Sequence, residues 1–156
     1  GPIPMPIIVA GVVFAIGIIG LSRTRFGEYV YLTGDNPTAA YLAGIPTKEV
    51  ITVVYAISGF CSTLAGLILI ARLDSAQPVI GIGFEFSAIA AVVVGGTSFI
   101  GGEGSLVGTI FGALLMQTLN NGLTLLDVSP LWEQVYRGGL IALAVLFYKT
   151  IMRSSK

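Results

Sequence analysis

The sequence predicts an all-α fold, a polytopic membrane helical bundle, and two observations predict it. Hydrophobic residues make up 54% of the 156 positions and charged residues 10%, with a mean hydropathy of +0.92, whereas a soluble globular domain carries about 25% charged residues. Charge that sparse does not cover a water-facing surface, so lipid is the expected solvent. The apolar residues are also gathered into runs near the ~20 residues that a helix needs to cross a bilayer. About five crossings follow, one of them short and broken by glycine, in a single transmembrane domain over residues 1–156.

The first run is Ile3 to Leu21, with Pro4 and Pro6 tolerated in its opening turn. The second, Val50 to Ala71, is bounded by Lys48 and Glu49 before it and Arg72 after it. The third, Phe84 to about Ile100, is weaker, because it contains Ser87 and then Gly95, Gly96, Thr97 and Ser98. The stretch Gly95 to Ser105 reads GGTSFIGGEGS. Two Gly-Gly pairs so close argue for a break, since glycine costs about 1 kcal/mol relative to alanine inside a helix. Non-helical backbone at membrane depth persists only where protein buries it or where it lines a cavity, so this segment is read as a short span with a re-entrant hairpin as the alternative. The fourth run is Ser105 to Leu126 and the fifth about Val135 to Tyr148.

Five crossings put Ser22–Glu49, the 101–104 region and the C-terminus on one side. That side gathers Arg23, Arg25, Lys48, Lys149, Arg153 and Lys156, against Arg72 and Arg137 on the other. The excess of positive charge makes the first side cytoplasmic. The chain begins at Gly1 and runs at once into apolar sequence, without the basic region and cleavage site of a signal peptide, which is the pattern expected of the later part of a longer polypeptide.

Composition also removes whole classes of chemistry. With a net charge of zero there is no basic field for nucleic acid. With no histidine the commonest general base and metal ligand are missing, and no paired carboxylates lie within a span. Cys61, the single cysteine, stands in an apolar run and is read as buried filler. Ser58 and Ser62, with Gly59 and Gly66, read as close-packing positions. No catalytic, metal or cofactor-binding residue is assigned.

The one long polar connection, Ser22–Glu49, reads SRTRFGEYVYLTGDNPTAAYLAGIPTKE. Asn36 followed by Pro37 starts a helix, because asparagine caps it and proline occupies its first position without losing a hydrogen bond. Thr38 to Ala43 supplies two turns, Gly44 sits where a left-handed cap belongs, and Pro46 opens the next helix. A helix this short does not persist alone. Small residues on it (Ala39, Ala40, Ala43) offer little to lipid and admit close approach of another protein.

TRFGEYVYLTGDNPTAAYLAGI resembles the cytoplasmic loop of ribose/xylose-type permeases of ATP-binding-cassette importers. The resemblance continues through SAQP (75–78), AIAAVVVGGTSFIGGEGS (88–105), GTIFGALLMQTLNNGL (108–123) and SPLWEQV (129–135), so that it covers essentially the whole chain. Members are about twice this long. Glu103, often basic in relatives, and Ala43, often serine, depart from the pattern and leave the individual sugar open. The resemblance implies an inner-membrane permease that works as a dimer with cytoplasmic ATPase subunits and a periplasmic sugar-binding protein. By position it implies that Asn36, Pro37, Ala39, Ala40 and Gly44 form the element that docks on the ATPase. The chain itself has no G-x-x-x-x-G-K-S/T loop, so ATP would be hydrolysed by the partner.

The fourth run is the most polar. Gln117, Asn120 and Asn121 fall within about 100° of one another on a helix, and Gly104, Gly108 and Gly112 form a small-residue ridge roughly opposite. The amides are candidates for a sugar path, with interhelical hydrogen bonding as the alternative. Gly95, Gly96, Gly101, Gly102, Gly104, Gly108 and Gly112 are candidate hinge or packing positions. Glu85 and Ser87 are placed at the outer mouth, Trp132 and Tyr136 in an aromatic belt, and Phe26, Tyr29 and Tyr31 in a matching inner one. A permease for a branched-chain amino acid or a nucleoside, or a self-contained secondary transporter, remains as an alternative, although no charged residue lies mid-span to couple an ion.

The orientation is directly testable. In a Cys61→Ser background, Thr38→Cys should resist an impermeant thiol reagent in intact cells while Ser75→Cys reacts, and the opposite pattern would reverse the topology.

Overall fold

The computed structural model describes residues 4–75, 81–127 and, beyond them, 129, 131, 132, 135, 136, 138, 139, 141–143 and 146. Its elements are helices: α1 (Met5–Arg23), α2 (Arg25–Asp35), α3 (Pro37–Leu42), α4 (Thr47–Leu73), α5 (Phe84–Val94) and α6 (Leu106–Leu125). The described residues between 131 and 146 are largely helical as well; the remainder of the fifth run lies outside the described residues. No strand occurs among the described residues, in keeping with the all-α expectation. The chain divides into two compact units, Gly1–Gly81 and Ile82–Lys156.

In the first unit, α1 and α4 are apolar around their whole circumference and almost wholly uncovered by protein. No residue of α1 is buried, and α4 buries only Thr47 and Val50 at its start. At 1.5 Å per residue they are about 28 Å and 40 Å long, and among the described residues they are the two helices long and apolar enough to cross a bilayer. Such bare apolar surface suits hydrocarbon and does not suit water.

Between them lies an element the sequence reading left as loop. Phe26, Tyr29, Val30 and Thr33 recur at helical spacing, and α2 uses that stripe to cover a small cluster of Ala40, Ile45 and Val50. Thr24 starts α2, its hydroxyl oxygen accepting from the Gly27 amide at 3.3 Å. Gly27 is required here by proximity, because a Cβ would run into the Leu21 backbone where α1 turns into α2. Phe26 and Tyr29, expected in an inner aromatic belt, are half-buried and pack on this cluster.

In the second unit, α5 is shorter than its apolar run. It stops at Val94, giving about 16 Å of helix, where the sequence reading carried the segment to about Ile100. The stop is a Schellman closure: Gly96, at φ +89°, donates to the Val93 carbonyl at 3.0 Å, and Thr97 donates to that of Val92 at 3.2 Å. In the turn that follows, the Ser98 amide donates to the Glu103 carbonyl at 3.0 Å. Ser105 then caps α6, accepting from the Gly108 amide at 3.4 Å.

Antiparallel α5 and α6 touch backbone to backbone. A Cβ on Gly108 would meet the Gly95 carbonyl, one on Gly95 would meet the Gly108 backbone, and one on Gly112 would meet the Ala91 carbonyl. Ala90, Ala91 and Met116 form the buried centre of this contact, and Tyr136 and Ile141 pack against it. Tyr136, expected in an interfacial belt, is thus a packing residue.

The same chemical change should have opposite signs at two positions of α6. Gly112→Ala forces its methyl into the Ala91 carbonyl and should lower thermal stability by about 1–3 kcal/mol, as over-packing does. Gly122 meets nothing within 4 Å, so Gly122→Ala should be neutral or stabilising by up to about 1 kcal/mol. Detergent-solubilised melting curves of the two variants would show it.

Candidate functional site

Two places in the chain present polar or partner-seeking groups on a built framework. The first is α3. Its start is capped by Asn36, whose Oδ1 accepts from the Ala39 amide at 3.0 Å. Its end is a second Schellman closure, with Gly44 at φ +86° donating to Tyr41 and Ile45 donating to Ala40, both at 3.0 Å. Ile45 and Ala40 complete the motif with an apolar contact, and Val50 joins them from the first turn of α4. The helix is held at both ends and along one side.

That fixing decides which residues can meet a partner. Asn36, Pro37, Ala39 and Gly44 are exposed. Ala40, grouped with them in the sequence reading for its small size, is 5% exposed and turned into the α2–α4 contact, where its methyl seats α3. The outward side instead carries Tyr41 and Leu42, exposed at 67% and 80%. The sequence reading passed over both. Their signal was available: large apolar residues next to Ala40 on a helix too short to bury both of its sides.

The second place is α6. Gln117 and Asn121 are exposed, while Asn120 is half-buried and its Oδ1 accepts a hydrogen bond from the Tyr136 hydroxyl at 3.4 Å. The three amides therefore do not act alike. Asn120 lies on the side toward the Ala90–Ala91–Met116 centre, and the other two lie further round the helix.

The remaining candidates divide between packing and turn. Gly95, Gly108 and Gly112 are at the α5–α6 backbone contact, and a Cβ on Gly104 would meet the Thr97 side chain. Gly96, Gly101 and Gly102 have positive φ in the turn. Glu85 folds back on its own helix start, its carboxylate accepting from the Gly83 amide at 3.2 Å, and Ser87 donates to the Gly83 carbonyl at 3.4 Å. Among the described residues no cluster of His, Cys, Asp and Glu could hold a metal ion.

Residues 3–145 match the family model described as branched-chain amino acid transport system / permease component. The chain is 47% identical over 144 residues to the ribose import permease of Haemophilus influenzae, covering 92% of this chain and 45% of that protein. It is 42% identical over 151 residues to the D-allose transport system permease of Escherichia coli, covering 97% and 46%. It is 41% identical over 143 residues to the xylose transport system permease of Haemophilus influenzae, covering 92% and 38%. The chain spans about half the length of these curated relatives or less. No solved structure matches significantly.

The Asn120–Tyr136 contact should register as packing. Asn120→Leu and Tyr136→Phe should each lower the melting temperature. Combining them should lose less than the sum, with a coupling of about 0.6 kcal/mol, typical of a hydrogen bond between membrane helices, and strict additivity would remove the bond from the account.

Proposed function

The chain belongs to the branched-chain amino acid transport system / permease component family, and we propose that it forms the docking and pathway part of a binding-protein-dependent importer that moves a monosaccharide across the inner membrane. The observation that carries the reading is α3, a short helix capped at both ends, wedged on α2 and α4, and displaying Tyr41 and Leu42 outward. Apolar side chains on a hydrophilic loop, held rigidly, are what a partner's groove would receive.

In this reading the loop 22–49 and the C-terminus are cytoplasmic, and α3 seats on an ATP-binding-cassette ATPase through Asn36, Pro37, Ala39, Tyr41, Leu42 and Gly44. Energy comes from that partner, since the chain carries no phosphate-cradling loop of its own. A second permease copy and a periplasmic sugar-binding protein complete the assembly. The α6 amides, Gln117 and Asn121 foremost, serve the solute path. The glycines of the 95–105 turn allow α5 and α6 to stay in backbone contact, with Gly96, Gly101 and Gly102 as flexible points. Relatives named for ribose, allose and xylose lie between 41% and 47% identity, so the proposal names the class of sugar and not one member of it.

The test is reconstitution of the full-length permease with its ATPase and binding protein in vesicles. ATP-dependent uptake of a monosaccharide is expected. Uptake of a branched-chain amino acid or nucleoside instead, or uptake indifferent to ATP, would replace the reading. Tyr41→Ala with Leu42→Ala should abolish most uptake and the ATPase stimulation that accompanies it while leaving membrane insertion intact. Gly44→Val, strained by about 1–2 kcal/mol at positive φ, should act in the same direction.

A further inference from the structure

The polar side of α6 is wider than its amides. With Met116, which faces α5, set at zero and 100° turned per residue, Gly112 and Gly108 fall at roughly −40° and −80°. Asn120, Ala113, Thr124, Gln117 and Asn121 fall at roughly +40°, +60°, +80°, +100° and +140°. From Ala113 to Leu125 no other residue enters that sector; toward the helix start the same sector turns apolar, at Ile110 and Leu106. Ala113, Gln117, Asn121 and Thr124 are exposed. The Thr124 hydroxyl donates to the Asn120 carbonyl at 2.9 Å, which leaves its oxygen able to accept.

Hydrocarbon is a poor neighbour for this side, because an amide removed from water without a partner leaves its hydrogen-bonding groups unsatisfied. Its rotation is also fixed. Gly108 and Gly112 allow no other distance to α5, and the Tyr136 hydroxyl holds Asn120 at the sector's edge. No ionisable residue occurs between Leu106 and Leu125.

We propose that the sector Ala113, Gln117, Asn121 and Thr124 is one wall of the solute path, that its occupant is a neutral polyhydroxylated solute of monosaccharide size with its accompanying water, and that Asn120 is withdrawn from the path as the residue that sets the wall's angle. The amides and the threonine oxygen offer donors and acceptors in number, and Ala113 leaves room beside them. The charged ends of an amino acid would find no counter-charge on this wall. The inference rests on the importer reading above and deepens it.

Single-cysteine labelling of the full-length permease, in a Cys61→Ser parent and in membranes with its ATPase, tests the wall. A small charged methanethiosulfonate reagent should modify Ala113→Cys, Gln117→Cys, Asn121→Cys and Thr124→Cys several-fold faster than Leu115→Cys and Thr118→Cys. Thr118 is the sharper control, being polar and exposed but at about 200°. A transported monosaccharide should slow the wall positions and not the controls, and four positions keep the test alive if one variant fails to insert. Equal rates at wall and control positions would overturn the proposal. So would disulfides joining two copies through the wall cysteines with no protection by sugar, which would make this side an interface between permeases. Failure of the importer reading shows separately, as a parent that takes up no monosaccharide while labelling without sugar still follows the sector.

Discussion

A peptide group in hydrocarbon has no water to bond, so every helix end at or near membrane depth must find partners within the protein for its last carbonyls. This chain closes two helix ends with the same device, one of them, at Gly96, inside an apolar run. At Gly44 and at Gly96 a residue of positive φ folds the backbone so that two amides return to the preceding turn. One closure ends the helix that stands out from the loop, and the other ends α5 partway through its apolar run. Both of the chain's candidate functional features follow from them. α3 keeps a fixed orientation because its end is tied to α4 through Ile45, and α6 can lie directly on α5 because the chain between them reverses in a compact turn.

Glycine has a second use that is separate from conformation. Along the α5–α6 contact Gly95, Gly108 and Gly112 are needed because carbonyl oxygens of the opposing helix occupy the space a Cβ would take. Removing side chains brings the backbones together and increases dispersion contact where no hydrophobic force between helices is available. A helix joined so closely on one side is free to differ on the other. α6 places Gly108, Gly112 and Met116 against α5 and its amides and Thr124 in a separate sector, and the division is possible only because the packing fixes its rotation.

The helical class, the first two long apolar helices, the capped α3 and the glycine break were legible because each depends on local signals: composition, run length, Asn-Pro and Gly at fixed spacing. What was missed depended on which way a side faces. The stripe Phe26, Tyr29, Val30, Thr33 was present, but Gly27 and Gly34 in the same segment lower helix propensity, and what makes it helical is the cluster it covers. Ala40 and Tyr41 are neighbours with opposite fates, and only the position of α4 says which is buried. Tyr136 looked like a belt residue by type, yet its place depends on contacts with Ala90 and Met116, distant in sequence, and on its hydrogen bond to Asn120, sixteen positions away.

The arrangement of α3 bears on how a push at its exposed side would travel. Between Leu42 and Thr47 the connection is short and contains Gly44 closed by two backbone bonds and Pro46 with its fixed φ. Ala40, Ile45 and Val50 fill the angle between α3 and α4, and Phe26, Tyr29 and Val30 of α2 close it from the other side. A close-packed angle transmits displacement and does not absorb it. Force applied to Tyr41 and Leu42 would therefore turn α2, α3 and the first turn of α4 as one body, and α4 would carry that motion along about 40 Å of continuous helix. A short helix seated rigidly in this way would convert a contact at its exposed side into movement of the long helix it packs on, which a flexible loop with the same surface residues could not do.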